Sequence, residues 1–262
     1  MSYRDVDILD RHAYADSIVH RLDPRAKLVG TFIFIVVVVS HSKYAVAPLV
    51  PFVLFPVALT ILGFVPLKAF FKRLLIALPF VALIGLFNPL LDRAPLLEIG
   101  RISISGGWVS FASISLRGLL CVAAVIALIG TTSFARVTEA LRALKVPKAL
   151  VIQLMLLYRY LFVLIEEGSR MRRARALRAS SSRVSIPTAT SMISVLLLRT
   201  MDRADSIWIA MKSRGFNGEL KSARKMRWRR ADTLFLFIVI LFCVVLRFLP
   251  VTHTLGGIGG GL

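Results

Sequence analysis

The groups able to do chemistry in this 262-residue chain are few, and their spacing excludes most reactions. Its four histidines, His12, His20, His41 and His253, are scattered over termini and loops without the spacing of a metal-ligand set. The two cysteines, Cys121 and Cys243, sit in separate apolar runs, form no C-x-x-C pair and read as small buried hydrophobes. No G-x-x-x-x-G-K-[ST] loop is present to cradle a nucleotide phosphate. No paired acid and base lie within an apolar run, which argues against an intramembrane hydrolase. What remains is arginine. The stretch "LFVLIEEGSRMRRARALRASSSR" (Leu161 to Arg183) starts as apolar helix and finishes as a ladder of cations. A second, "WIAMKSRGFNG" (Trp208 to Gly218), again closes an apolar helix on a cation. In each, an arginine stands between small residues: Ala174-Arg175-Ala176 and Ser213-Arg214-Gly215. Small neighbours admit another surface close to the backbone, and the guanidinium offers a planar fork of donors to a carboxylate or to carbonyls. Docking is the chemistry such a tip can do. The plainer account is that cations at membrane-helix ends snorkel to headgroups or follow the positive-inside bias. The same ending on two consecutive helices brings docking level with it.

The elements that carry these tips follow from composition. Hydrophobic residues make up 57% of the chain and charged residues 18%, and mean hydropathy is +0.76. A soluble domain has no use for that much apolar surface, so an integral membrane protein is the natural class. The formal charge of +20 needs anionic partners. Because the cations lie beside apolar runs, membrane lipid accounts for many of them and nucleic acid is not expected.

Five runs are candidates to cross a bilayer, which takes about 20 helical residues. They are Leu28 to Ser40, Val46 to Val65, Leu74 to Leu91, Trp108 to Gly130 and Thr233 to Leu249. The second carries Pro48, Pro51 and Pro56 and should be bent or partly unwound. Lys68, Lys72 and Arg73 lie between the second and third runs, and between Glu166 and Arg230 sixteen Lys and Arg face five acids. The opposite loops carry little charge, so the positive-inside rule puts the N-terminus and the basic region in the cytoplasm and the C-terminus outside. The first 27 residues are polar and show no cleavable signal peptide. Arg117 and Arg159 fall inside apolar runs, where structural pairing is favoured over a substrate path. "LLEIGRISISGG" alternates as a small hairpin should.

The region after the fourth run is unusual. "SFARVTEALRALKVP" reads as an amphipathic helix with Ser133 as N-cap, stopped near Pro147. Helix then runs from Lys148 to about Arg178, some 45 Å at ~1.5 Å per residue, longer than a membrane core is thick. A further helix starts at Pro187 and runs to about Arg214, where Gly215 supplies a left-handed stop. These helices are expected half immersed and half protruding, not as extra spans. The fold class is therefore an all-α integral membrane protein: about five transmembrane helices plus a cytosolic module of about three helices. Residues 1–132 hold the N-terminal segment and first four spans, 133–230 the basic module, and 231–262 the last span and tail.

Three stretches carry a family resemblance: "DRHAYADSIVHRLDPRAKL" (Asp10 to Leu28), "RYLFVLIEEGSRMRRARALRA" (Arg159 to Ala179) and "DSIWIAMKSRGFNGEL" (Asp205 to Leu220). Across nearly the whole chain it resembles the transmembrane T component of energy-coupling factor transporters. The lead-in "DRHAYADS" and the Glu-Glu before the arginine ladder make it most similar to the CbiQ-like cobalt or nickel branch. The resemblance implies two coupling helices, each ending in a small-Arg-small motif seated in a groove of one of two ABC-type, CbiO-like ATPase subunits. It places Arg175, flanked by Ala174 and Ala176, at the first motif, with Arg172, Arg173 and Arg178 offering competing registers. Arg214, before Gly215, falls at the second, where Ser213 replaces the usual Ala. Asp23-Pro24-Arg25 matches the family's N-terminal signature; read from the residues alone, Asp23 caps the first span with Pro24 at the first helical position. The resemblance further implies no catalysis, metal ligand or cofactor in this chain, ATP and Mg²⁺ on the ATPase partners, and cobalt or nickel as cargo. A CbiM-like substrate-binding membrane subunit, with or without a CbiN-like companion, would be gripped by the apolar face from Val151 to Ile165. The setting implied is a prokaryotic plasma membrane. The alternatives are a T component for a vitamin such as biotin, and a membrane scaffold that binds anionic lipid.

Overall fold

Backbone amides in hydrocarbon have no water to bond to, so the apolar runs of this chain must close their own hydrogen bonds as helices. The computed structural model describes residues 17–42, 46–86, 95–99, 102–178, 185–218 and 228–248. Within them, α1 (Ile18–Arg21) and α2 (Pro24–Val39) lead into a 3-10 helix (Ala47–Val53) and α3 (Leu54–Leu62). Next come α4 (Leu67–Leu86), the antiparallel pair β1 (Pro95–Ile99) and β2 (Ile102–Ser105), and α5 (Gly106–Thr131). The chain continues through α6 (Phe134–Ala143), α7 (Lys148–Arg178), α8 (Ile186–Ser213) and α9 (Arg230–Phe248). Apart from the hairpin, expected from its alternation, the protein is the all-α membrane protein that composition implies. The described residues divide into two compact units, one of residues 17–137 with 228–248 and one of residues 138–218.

Four described helices are long and apolar enough to cross a membrane: α4, α5, α7 and α9. That set differs from the five expected runs. α2 has 16 residues, roughly 24 Å of helix against a hydrocarbon core of about 30 Å. The proline-rich run divides as expected: Pro48 and Pro51 remove backbone donors, and the chain winds as 3-10 helix until Val53 before α3 takes over. α7, expected to lie half immersed, also meets the length and composition of a span. The third run starts earlier than expected, so Lys68, Lys72 and Arg73 ride on the first turns of α4 and not in a loop. Of that run, residues 87–91 lie outside the described ones.

The first unit is built around α5, whose inward face is made of small residues: Ser110, Ser113, Ala123, Ala124 and Ala127 are buried there. Lipid tails are as apolar as side chains, so membrane helices gain little by merely burying Leu and gain instead by close fit. The α4–α5 contact shows the fit. A Cβ on Gly118 of α5 would meet Val81 Cγ1 of α4 at 2.5 Å, and a Cβ on Gly85 of α4 would meet the Phe111 ring of α5 at 2.9 Å. Each helix thus receives a knob from the other where it has no side chain. On the other side of α5, Phe34 of α2 stacks on Phe55 of α3 with centroids 4.4 Å apart, and Phe52 meets Phe242 of α9 edge-on at 6.0 Å. The outer surface keeps large apolar residues exposed, Phe71, Leu75, Phe80 and Ile84 on α4 and Phe237 and Leu241 on α9 among them. That is the surface hydrocarbon requires.

Arg117, inside the fourth run, donates its Nη2 to the Ser42 carbonyl and to Ser113 Oγ at 2.7 Å, while its buried Nε has no hydrogen-bond partner among the described residues. Arg247 of α9 donates to the Ser40 carbonyl at 3.3 Å, so two arginines cover the open carbonyls beyond the end of α2. The expected structural pairing of Arg117 is observed, with a carbonyl and a hydroxyl in place of an acid. Filling the α4–α5 notch with Gly118→Val should cost about 1–3 kcal/mol through overpacking. Thermal unfolding in detergent should show a lower Tm, partly restored by Val81→Ala in the same chain; an unchanged Tm would show that the notch is slack.

Candidate functional site

The two arginine tips belong to the same unit, on consecutive helices, and the sequence sets their ends differently. α7 has no terminating proline or glycine among its described residues and carries its cations to the last turn, Arg175 and Arg178 included. Cations there complement the negative end of the helix dipole. Ala174 and Ala176 are exposed and Arg175 is half-buried. Its surroundings are a groove of about 670 Å³ between α7 and α8, lined by Arg170, Arg175, Arg178 and Arg199 over Met171 and Met192. One acid, Glu167, bridges the helices by pairing with Arg199, while Glu166 pairs with Arg170 one turn on at 2.6 Å. Gly168 of α7 faces Leu196 of α8, where a Cβ would make only an ordinary van der Waals contact at 3.9 Å.

The second tip is a built turn. Pro187 lies in the first turn of α8, and the helix ends at Ser213 with Arg214 at the cap, within a residue of the expected bounds. Gly215 takes a left-handed φ of 74°, as its type suggests. The Phe216 amide donates to the Met211 carbonyl at 3.0 Å and the Gly215 amide to the Lys212 carbonyl at 2.9 Å. That nested pair of bonds is the Schellman closure. Phe216 folds back so that its ring meets Trp208 edge-on at 6.3 Å, and the Lys212 ammonium lies 5.3 Å from the centre of the Trp208 ring. Ser213 Oγ donates to the Ile209 carbonyl at 2.9 Å, so its side chain folds back along its own helix. The result is an exposed Arg214 at the apex of a braced turn, flanked by exposed Ser213 and Gly215. The Trp208–Phe216 brace was not anticipated; its signal is the aromatic that follows the glycine of "SRGF", where such turns carry an apolar contact.

The N-terminal signature lies in the other unit. Asp23 caps α2, its Oδ1 accepting from the Arg25 amide at 2.9 Å, and Pro24 occupies the first turn, as expected. Arg25 keeps its Nε 3.9 Å from Asp23 Oδ1. Three further partners were not foreseen. Asp232, at the start of α9, accepts from the Asp23 amide through Oδ1 at 2.7 Å and from the Arg229 amide through Oδ2 at 2.7 Å. Lys27 donates its Nζ to the Thr131 carbonyl at 2.9 Å, and Arg136 donates to the His20 carbonyl at 3.0 Å. Sequence offered only faint hints of these: an acid opening an apolar run and a lysine one turn past the cap. Cys243 is buried and Cys121 half-buried, both free thiols. Among the described residues no three His, Cys, Asp or Glu side chains come together as a metal would need; His12 and His253 lie outside them.

The sequence profile of CbiQ, described as a cobalt transport protein, matches residues 15–226. The chain belongs to the CbiQ family. It is a CbiQ-like T component of an energy-coupling factor transporter, as the three quoted stretches imply. Among its relatives is the energy-coupling factor transporter transmembrane protein EcfT of Macrococcus caseolyticus, 28% identical, with the match covering 94% of this chain and 98% of that one. EcfT of Bacillus subtilis is 26% identical, covering 94% and 98%. EcfT of Streptococcus thermophilus is 27% identical, covering 92% and 98%. The family profile takes in both arginine tips and the Asp23-Pro24-Arg25 turn.

The left-handed residue of the second tip gives a direct check. No atom lies within 4 Å of a Cβ on Gly215, so a side chain there meets only backbone strain. Gly215→Ala should loosen the turn by about 1–2 kcal/mol, and Gly215→Asn by less. Amide hydrogen exchange at Phe216 should rise from the native chain to Gly215→Asn to Gly215→Ala; equal exchange in all three chains would show that the turn does not depend on the left-handed residue.

Proposed function

We propose that this T component converts nucleotide-driven motion of two ABC-type ATPase subunits into uptake of a transition-metal ion through a separate substrate-binding membrane subunit. The observation that carries the reading is the pair of tips: consecutive helices of one unit, each ending in an arginine between small, exposed residues. Arg175 with Ala174 and Ala176, and Arg214 with Ser213 and Gly215, are the plugs. Each seats in a groove of one ATPase subunit, where the guanidinium bonds carboxylate or carbonyl oxygens and the small neighbours let the groove close on the backbone. The braced turn behind Arg214 keeps that plug from yielding when its socket moves. ATP and Mg²⁺ are held by the partners. Motion of the sockets is carried along α7 and α8, whose apolar stretch from Val151 to Ile165 grips the substrate-binding subunit. Charge orients the protein with its N-terminus and tips in the cytoplasm of a prokaryotic cell.

Cobalt or nickel is the cargo the reading favours, supported by the family's description as a cobalt transport protein. The EcfT relatives carry no metal in their names, and a vitamin such as biotin is the competing cargo. Uptake assays with labelled Co²⁺, Ni²⁺ and biotin in the assembled complex separate the two.

The plugs are tested by reversing their charge. A guanidinium desolvated against acceptors and replaced by a carboxylate loses roughly 2–5 kcal/mol, at least ~30-fold in association. Arg175→Glu and Arg214→Glu should each release an ATPase subunit during co-purification and abolish ATP-dependent uptake, while Arg214→Lys retains part of both. ATPase subunits that remain bound to both Glu variants, or that never accompany the native chain, would replace this reading with that of a lipid-binding scaffold.

A further inference from the structure

A plug transmits force only if the helices behind it are rooted. The chain leaves the first unit within α6, after residue 137, and its described residues return to that unit at residue 228. Both roots are tied to one short turn, Asp23 to Lys27. On the outgoing side, Lys27 Nζ holds the Thr131 carbonyl at 2.9 Å. On the returning side, Asp232 holds the Asp23 amide with one carboxylate oxygen and the Arg229 amide with the other, both at 2.7 Å. A third tie runs from Arg136, in the first turn of α6, to the His20 carbonyl at 3.0 Å, one turn before Asp23. Lys27 and Asp232 are each 1% exposed.

Helix capping does not account for this. A cap needs Asp23 Oδ1 on the Arg25 amide, and that bond is present independently at 2.9 Å. It needs neither a buried ammonium on α2 nor a buried carboxylate contributed by α9. Burying a charge is costly unless it is paired and hydrogen-bonded. Here the charges that face Lys27 are Asp23, Asp232 and Arg136, two anions and two cations gathered where the roots meet. The outgoing root is also fixed sterically. Thr131 Cγ2 occupies the space at Gly63, lying 2.3 Å from where a Cβ would be, and the Thr131 hydroxyl donates back to the Ala127 carbonyl at 2.9 Å.

We propose that the Asp23–Lys27 turn is a clamp inside the first unit that ties two roots together, with Lys27 and Asp232 as its positioning residues. The roots are the end of α5 with the start of α6, from which the chain leaves for the coupling helices, and the start of α9, to which it returns. The inference rests on the coupling reading for its purpose, and on the bonds above for its existence. It assigns the N-terminal signature a mechanical role: motion entering at the tips meets an anchored base instead of being lost in the connections.

The test is hydrogen exchange on the full chain in nanodiscs, with its ATPase subunits, comparing Lys27→Met and Asp232→Asn with the native protein. Each substitution removes a bond to one root only. A single clamp predicts that each speeds exchange at least about tenfold at both roots, residues 131–135 and 228–233, while the interior of α5 stays protected. Loosening confined to the root that lost its bond, or no loosening at either, would overturn the clamp. Lys27→Met leaves two carboxylates without their ammonium; should it unfold throughout, Asp232→Asn, nearly isosteric, decides alone by the same criterion. The clamp variants keep their tips and should keep their ATPase subunits. Arg214→Glu should do the reverse, losing a subunit while its roots exchange normally. Loosened roots together with an Arg214→Glu chain that still holds its ATPases would uphold the clamp and refute the coupling reading.

Discussion

A polar group in hydrocarbon must find its partner within the protein, and this constraint decides where charge can stand in the chain. Several charged side chains of the first unit meet backbone groups at helix ends. Arg117 and Arg247 serve carbonyls beyond the end of α2, at Ser42 and Ser40. Asp23, Lys27 and Asp232 serve amides and a carbonyl where α2 and α9 begin and α5 ends. Several open groups of helix termini are thereby closed, and helices distant in sequence are tied to one another near their ends. Such bonds fix register. Apolar contacts in lipid do so weakly, because sliding one hydrocarbon surface over another changes little.

Between those ends, shape does the work of the hydrophobic effect. The small face of α5 lets α2, α3 and α4 approach closely, and the reciprocal notches at Gly118 and Gly85 set the position of α4 along α5. The exposed leucines and phenylalanines of α4 and α9 suit contact with lipid tails. The unit of residues 138–218 follows other rules. Its helices carry few buried residues, Val151 alone on α7 and none on α8, and its groove is ringed with guanidinium groups. The first unit is packed on a buried core, whereas the two long helices of the second leave most of their surface exposed.

Much of this was legible from residue types. The start of α7, the bounds of α8, the interruption of the proline-rich run, the hairpin, the left-handed Gly215 and the Asp23-Pro24 cap all follow from local chemistry: proline's missing donor, glycine freedom and side-chain capping. What escaped the sequence is what depends on contacts across it. Asp23 and Asp232 are 209 positions apart, Lys27 and Thr131 are 104 apart, and nothing in their local patterns names the partner. The early start of α4 was missed because Lys68, Lys72 and Arg73 suggest a loop, whereas a helix can begin among snorkelling cations before it enters the apolar layer. The run at α2 was legible as apolar but not as a complete crossing, since length alone separates a span from a buried core helix.

Two tips on one pair of helices make sense if two moving partners must be held at once. In the proposed function the braced turn at Arg214 and the cation-lined groove at Arg175 serve that contact. Photo-crosslinking in native membranes tests the claim most directly, with a photoreactive residue placed beside each plug, at the exposed Leu177 and Asn217, so that both arginine triplets stay intact. The account predicts that each position captures a nucleotide-binding subunit. Crosslinks from both positions to lipid alone, or to no protein, would contradict it.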